Sequence, residues 1–447
     1  MRNIAFVLVL NFLFSLNSFG QNNTIRLLSD TDFKYLEALT KDVIERSRIH
    51  PNQSISKDFG GNNSGGTLIR PGGSDCYPAF WIRDYAMSLE SGFITVKEQE
   101  HMLVLTASCQ CDQTWITDGG CMIPMGAIPD HVRIDDSRPI YFPGTYDYKG
   151  QGNQKWGMMP PYCDQFFFID MAYFYTKNSS NTKLLTEKIN GTALIDRLEM
   201  AYKTPPTKQD GVIVYATGDF RGVDFGFRDV ITITGELCMP SLLKYKASLE
   251  LAELYDLLKN KDRAEAFRTY ARRLKEEIPQ HFSDSRGMLL ASNGKSAQAD
   301  VWSTVMAIYY GILEGEPGLN ASRTITEGYK KGLLAKAGNI RHILIGEDFS
   351  ETSAWEKSLV RKGDYQNGGY WGTPTGWVCS AIAKTDLAAA QQLAKEYIDN
   401  LREGDFRKGG KYGEPWECYN LDVPQNAIYM TTVTSPYTVF KSYQKNK

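Results

Sequence analysis

Apolar positions recur every three or four residues over much of this chain. Leu36, Leu39 and Val43 keep one face of a segment that starts near Phe33, with Asp30 or Thr31 placed to cap it. Leu243, Ala247, Leu251, Leu254, Tyr255 and Leu258 form a second stripe. Phe267, Tyr270, Ala271, Leu274 and Ile278 form a third after the polar break NKDR, so the two predict a helical hairpin. Trp302, Val305, Met306, Tyr309 and Leu313 predict another helix, followed by a Gly and Pro break at residues 315–318 and a weaker helix over 322–336. Residues 377–383 and 387–401 flank the polar turn AKTD. One stretch departs from this period: GVIVYAT, residues 211–217, alternates like a strand and predicts a small hairpin.

The segments between these helices are long and rich in Gly, Trp, Tyr and Pro, and residues 52–73 read as a Gly, Ser and Asn loop. Simple bundles connect their helices tightly. A closed toroid of helical hairpins instead lets long loops converge at one end on a central cleft.

The chain has 447 residues, 42% hydrophobic and 23% charged, enough for a sizeable core. Its net charge of −2 leaves no electrostatic footprint for nucleic acid and no polybasic membrane patch. MRNIAFVLVLNFLFSLNSFGQ places Arg2 before an apolar run that is short for a membrane span and ends in small and polar residues. Residues 1–20 are therefore expected to be a signal peptide, with 21–447 a single catalytic domain that is secreted or periplasmic and has no span once the signal is removed. Such a compartment permits one or two disulfides among eight cysteines, of which Cys109, Cys111 and Cys121 are close enough to pair locally. Five histidines without HxxxH spacing, and no CxxC pair, give no metal site. The stretch ending Asn293, Gly294, Lys295, Ser296 has Leu289 where a phosphate loop needs Gly, and no cofactor is expected.

Candidate chemistry concentrates in four loop clusters. The last is the densest: DYQNGGYWGTPTGW, residues 364–377, and KYGEPWECYN, residues 411–420, set indoles and Tyr rings beside amides and the carboxylates Glu414 and Glu417. Aromatic faces suit the apolar side of a sugar ring, while amides and acids satisfy its hydroxyls. The others are residues 71–92 with Asp75, Trp81, Arg83, Asp84 and Tyr85; residues 160–175 with Asp164 and Gln165; and residues 218–236 with Asp224, Arg228 and Asp229. Glycosidic hydrolysis needs one carboxylic acid to protonate the leaving oxygen and one carboxylate to activate water or attack carbon. Asp224 or Asp229 is the candidate acid, and Glu417 or Glu414 the candidate base. A structural role competes for each, since Arg83 with Asp84 and Arg228 with Asp229 are also natural buried ion pairs. Helical stripes such as Phe167, Met171 and Phe174 read as core. Trp371 and Trp377, bracketed by glycines and Pro374, are expected in a ligand wall beside Tyr370.

At these clusters the chain resembles the six-hairpin glycosidase superfamily, which includes trehalases, glucoamylases and unsaturated glucuronyl hydrolases. YPAFWIRDYAM resembles their early substrate-binding motif, with Phe80, Trp81 and Asp84 at the sugar-contacting positions; YQNGGYWGTPTGW resembles their late aromatic loop; and ECYN resembles the motif that carries the base of several inverting members. The resemblance runs from about Tyr77 to the C-terminus and implies an all-α (α/α)6 toroid with minor β-hairpins. GVDFGFRD departs from the trehalase-like middle motif, which leaves Asp224 and Asp229 both open as the acid.

Three functions are compatible with these residues. The leading expectation is a glycoside hydrolase on terminal sugars of oligosaccharides in polysaccharide degradation, with Asp224, Asp229 and Glu417 as catalytic candidates. Trp81, Arg83, Asp84, Tyr85, Arg228, Tyr370, Trp371, Trp377 and Glu414 would hold the substrate. A lyase or dehydratase on uronate-containing oligosaccharides would instead draw on Arg83, Arg228, Arg341, His342 and Tyr85. A noncatalytic glycan-binding protein is the third. The sugar, the linkage and the oligomeric state are not written in the sequence.

Overall fold

Two kinds of helix alternate along the chain. The computed structural model describes residues 25–55, 57, 59–74, 77–152, 157–209, 211–421 and 423–444; the expected signal segment, Asp75 and Cys76 lie outside them. Twelve α-helices occur among the described residues: α1 Asp30–Ser47, α2 Ile82–Ser88, α3 Val96–Ser108, α4 Tyr162–Ser179, α5 Leu194–Lys203, α6 Cys238–Leu257, α7 Lys261–Phe282, α8 Val301–Tyr309, α9 Gly315–Lys330, α10 Thr375–Ile382, α11 Leu387–Gly404 and α12 Thr431–Gln444. Most residues of each even-numbered helix are buried, and every residue of α10 is. Odd-numbered ones such as α7 bury a single stripe, here Ala264, Phe267, Ala271, Leu274, Ile278 and Phe282. A helix that is apolar all round needs partners on all sides, whereas an amphipathic one keeps a wet face.

The packing follows from that difference. α2 packs on α4, α4 on α6, α6 on α8, α8 on α10, α10 on α12, and α12 back on α2, which closes an inner ring. Outside it, α1 lies on α12, α3 and α5 on α4, α7 on α6, α9 on α8 and α10, and α11 on α10. This is an all-α (α/α)6 toroid. Because each outer helix returns the chain, the inner helices all enter the ring from the same end.

Local chemistry sets the helix ends. Ser29, rather than Asp30 or Thr31, caps α1 by accepting the Asp32 N–H, and Thr95 with Glu98 forms a capping box on α3. The break expected at residues 315–318 is the first turn of α9, where Pro317 sacrifices no intrahelical hydrogen bond; the helix ends at Lys330, well before residue 336. Within GVIVYAT, Val214 bridges antiparallel to the nearby Thr207, and the strand Tyr215–Ala216 pairs with Gly235–Glu236. The seven described cysteines are free and buried, so the expected disulfides do not form among them.

Candidate active site

Each candidate cluster lies at or just before the N-terminus of an inner helix: Trp81, Arg83 and Asp84 at α2, Asp164 at α4, residues 218–236 before α6, residues 364–374 before α10, and residues 411–430 before α12. The toroid therefore gathers segments more than 300 residues apart at one end. Tyr429 donates to Asp84 Oδ1 at 2.5 Å, and Val230 N–H donates to Gln366 Oε1 at 2.8 Å.

Glu417 sits on the strand Trp416–Tyr419, which pairs with Pro424–Ala427. The residue is only 2% exposed. Its Oε2 accepts from Tyr77 Oη at 2.6 Å and Asn426 Nδ2 at 2.5 Å, and its Oε1 accepts from Tyr365 Oη at 3.0 Å. Three donors, two from loops and one from the paired strand, thus fix the carboxyl. Burial pushes its pKa up to about 7, opposed by the donated hydrogen bonds and assisted by the nearby charge of Asp84.

Asp229 closes the 3-10 turn Gly226–Arg228 and is partly exposed. It lines a cleft of about 390 Å³ together with Val230, Val360, Asp364, Tyr365, Asn420 and Gln425. One of its oxygens, Oδ1, is covered by protein yet has no hydrogen-bond partner. Burial drives its pKa up to about 7; Arg83 pulls it down, and Asp130 and Glu417 push it up. Asp229 and Glu417 therefore feel each other's charge, with Tyr365 bonded to one and sharing the cleft wall with the other. A carboxyl pair in such surroundings can hold one proton at neutral pH, as acid and base of a single reaction.

Beneath this pair lies an acidic ring around one cation. Arg83 Nη2 donates to Asp84 Oδ2 at 3.0 Å, its Nη1 stands 3.7 Å from Asp130 Oδ1, and its guanidinium lies 5.0 Å over the Phe227 ring. A Cβ on Gly226 would collide with that guanidinium, so only Gly lets the Asp229 segment cross here. Asp130 is tied to His131 Nδ1 at 2.8 Å, and Trp81 stacks on His131 with centroids 4.4 Å apart. Burial holds the Asp164 carboxyl well above the usual carboxylate range, with Asp130 adding to the effect.

Several candidates are placed elsewhere. Asp224 is 4% exposed, accepts from the Phe225 N–H at 2.8 Å, and pairs with Arg228 at 3.3 Å. Arg228 in turn meets Asp300, the N-cap of α8, at 2.5 Å. The Arg228 guanidinium lies 4.9 Å over the Trp355 ring with its side chain wholly buried, so it is part of the interior and not of the cleft wall. Trp371 is 0% exposed, behind Tyr365 and against Phe227 and Trp302, and Trp377 is 7% exposed within α10. Both indoles are core, contrary to the expectation from their glycine-rich flanks. Tyr85 packs edge-on against Phe80, its ionisation raised first by burial and then by Glu98, and not by any cleft carboxylate. Glu414 is held by Asn400 of α11 at 2.6 Å and by the Trp416 N–H at 2.9 Å, away from the Glu417 cradle; burial pushes it up to about 8. Tyr370 is partly exposed and joins its loop to Tyr419 by backbone hydrogen bonds of 3.0 and 2.8 Å.

Tyr77, Tyr365, Asn426 and Asp130 were not among the candidates and carry much of the geometry. Tyr365 and Tyr77 lay inside the aromatic stretches already singled out; nothing in the spacing around Asn426 or Asp130 distinguishes them. Among the described residues, no group of three or more His, Cys, Asp or Glu side chains is arranged to hold a metal ion.

No family model and no curated protein matches the sequence. The fold, by contrast, has clear counterparts. A glucoamylase from Saccharomycopsis fibuligera superposes with a TM-score of 0.59 over 96% of this chain and 98% of its own, at 12% identity. The chain shares the fold of that protein. A GH78 family rhamnosidase of Bacillus sp. GL1 matches at a TM-score of 0.52 and 14% identity over 93% of this chain, which spans 35% of that larger protein. A rhamnosidase from Klebsiella oxytoca with rhamnose bound matches at a TM-score of 0.52 and 11% identity over 94% of this chain and 65% of its own.

Proposed function

We propose that this protein is a glycoside hydrolase that removes terminal sugars from oligosaccharides. The observation that carries the reading is the Asp229 and Glu417 pair: two carboxyls both pushed up to about 7, one partly exposed beside an open cleft and the other buried and held by three donors. Asp229, with an oxygen free of internal partners, protonates the leaving group. Glu417, oriented by Tyr77, Tyr365 and Asn426, acts as the base on water. Glucoamylase and rhamnosidases as fold neighbours favour a sugar as substrate. A cleft of about 390 Å³ lies near the lower end of the range for small-molecule sites and suits a chain end better than a threaded polymer. Secretion or periplasmic export, by removal of residues 1–20, accords with a substrate met outside the cytoplasm.

Elimination on uronates is less well supported, because the arginines it would employ are engaged by internal acceptors. Arg83 faces Asp84 and Asp130, Arg228 faces Asp224 and Asp300, and Arg341 is bonded to Asp348 and to the Gly368 carbonyl. His342 is buried against Trp302 and driven well below its usual range, so it remains neutral. The test is incubation with a panel of neutral and uronate-bearing oligosaccharides followed by mass analysis. A gain of water across a cleaved bond is the expected result; an unsaturated product that absorbs in the ultraviolet, or no change in any substrate, contradicts it.

A further inference from the structure

Two of the three donors on Glu417 sit in the left-handed backbone region: Tyr365 has φ +45° and Asn426 has φ +47°. Asn enters that region readily, whereas a bulky side chain stays there only where its surroundings hold it. Tyr365 is held on both sides. Its carbonyl accepts from the Gly369 N–H at 2.9 Å and from the Trp371 indole Nε1 at 3.3 Å, and its own N–H donates to Asn420 Oδ1 at 2.7 Å. The carbonyl has two donors; among the described residues the N–H has Asn420 as its one acceptor. Asn420 is itself oriented, because its Nδ2 donates to Gln425 Oε1 at 3.3 Å and its N–H to the Val423 carbonyl at 3.2 Å. It directly follows the strand Trp416–Tyr419 that carries Glu417. The contacts close a circuit, from Glu417 along the strand to Asn420, across to the Tyr365 N–H, and back through Tyr365 Oη to Glu417 Oε1 at 3.0 Å. With the N–H released, Tyr365 relaxes toward negative φ and its phenol swings off the carboxyl.

We infer that Asn420 is a positioning residue of the reaction, which holds Tyr365 left-handed and through it keeps the third donor on Glu417. The inference rests on the hydrolase reading, since the orientation of Glu417 matters to rate only if Glu417 is the base. The titratable groups that face Glu417 are Tyr77, Asp84, Asp229, Tyr365, Cys418 and Tyr429. Of these, Asn420 touches Tyr365 and, at 3.6 Å, the Cys418 thiol, which burial keeps protonated. Asn420 and Tyr365 both line the cleft, so a direct sugar contact by Asn420 is the competing role. A sugar contact shows in KM, whereas positioning shows in kcat and in the acid limb of the pH profile.

The test compares Asn420→Ala, Tyr365→Phe and the double variant across pH, on the substrate that the oligosaccharide panel identifies. Asn420→Ala should lower kcat by about tenfold, the loss expected for one hydrogen bond to a charged group, with KM within about threefold of wild type. Its acid limb should move to higher pH, as in Tyr365→Phe. The double variant should share the limb of Tyr365→Phe and lie within about twofold of it in kcat, because both changes remove one bond. Asn420→Ser, whose side chain is too short to reach the Tyr365 N–H, repeats the test where the alanine variant does not fold. An acid limb unmoved in Asn420→Ala, or moved equally with and without the Tyr365 hydroxyl, overturns the inference and leaves the hydrolase reading standing. So does a rise in KM with kcat unchanged. Wild-type protein that cleaves nothing in the panel overturns both.

Discussion

Asp224 and Asp229 stand five residues apart on one segment, and the fold gives them opposite surroundings. Asp224 is enclosed in an internal relay that runs through Arg228 to Asp300, and from there into the cap of α8. Asp229 faces a cleft, keeps one oxygen without a partner, and shares its field with Glu417. Burial raises both pKa values, to about 6 and about 7 respectively. A raised pKa alone therefore does not separate a structural acid from a reactive one. The presence of a satisfied counterion does: the first region is closed, whereas the second is open to the cleft, as the proposed proton exchange requires.

The comparison can be broken by substitution. The largest expected effect is Glu417→Gln, which should lower kcat/KM by about a thousandfold or more while the protein unfolds within a few degrees of wild type. The closed region should behave in the reverse manner. Asp300→Ala leaves Arg228 buried with only Asp224, and its cost, about 3–5 kcal/mol, should appear as a lowered unfolding midpoint in a denaturant titration. A midpoint equal to wild type would mean that the relay does not hold α8 to the loop.

A subtler effect concerns the orientation of the base. Tyr365→Phe removes one hydrogen bond that lowers the Glu417 pKa, so the acid limb of the pH profile should move to higher pH. The base must be ionised and the acid protonated, so activity rises as Glu417 loses its proton and falls as Asp229 loses its own; the pair titrates as a unit with its optimum near neutrality. An acid limb unmoved in the variant would detach Tyr365 from the base.

A further effect is on stability. Burial raises the folded-state pKa of Asp229 above its unfolded value of 3.8, to about 7. The folded protein therefore binds more protons than the unfolded chain between those values, and stability falls as pH rises through that window. Asp229→Asn removes that penalty. Its unfolding temperature should exceed that of wild type at pH 8, and the difference should vanish near pH 4; no difference at pH 8 would argue that Asp229 is solvated.

Much of the fold was legible because inner and outer helices differ in a way that sequence records. The stripes of α1, α7 and α11 identify helices with one wet face, and the loop clusters between them mark the end at which the site forms. α12 was not legible: TTVTSPYTVFKSYQ is rich in β-branched residues and contains Pro436, and it is helical because its Thr431–Tyr437 stretch is buried in the inner ring. The site was legible in part. Glu417 stands out as a candidate through its aromatic flanks, whereas the sequence does not separate Asp229 from Asp224, and only the fold places Asp229 and not Asp224 on the cleft wall. Trp371 and Trp377 misled, since glycine-rich flanks also serve a loop that drops into the core. Asn426 and Asp130 could not be found, because their roles come from contacts with residues that the toroid, and not the local sequence, brings near.

The most direct test measures Asp229→Asn and Asp224→Asn side by side on a substrate that the wild type hydrolyses, with the folded fraction of each determined by circular dichroism. The account predicts that kcat/KM per folded molecule falls at least about a hundredfold in Asp229→Asn and less than about tenfold in Asp224→Asn. A folded Asp224→Asn that has lost activity, beside an Asp229→Asn that retains it, would contradict the account.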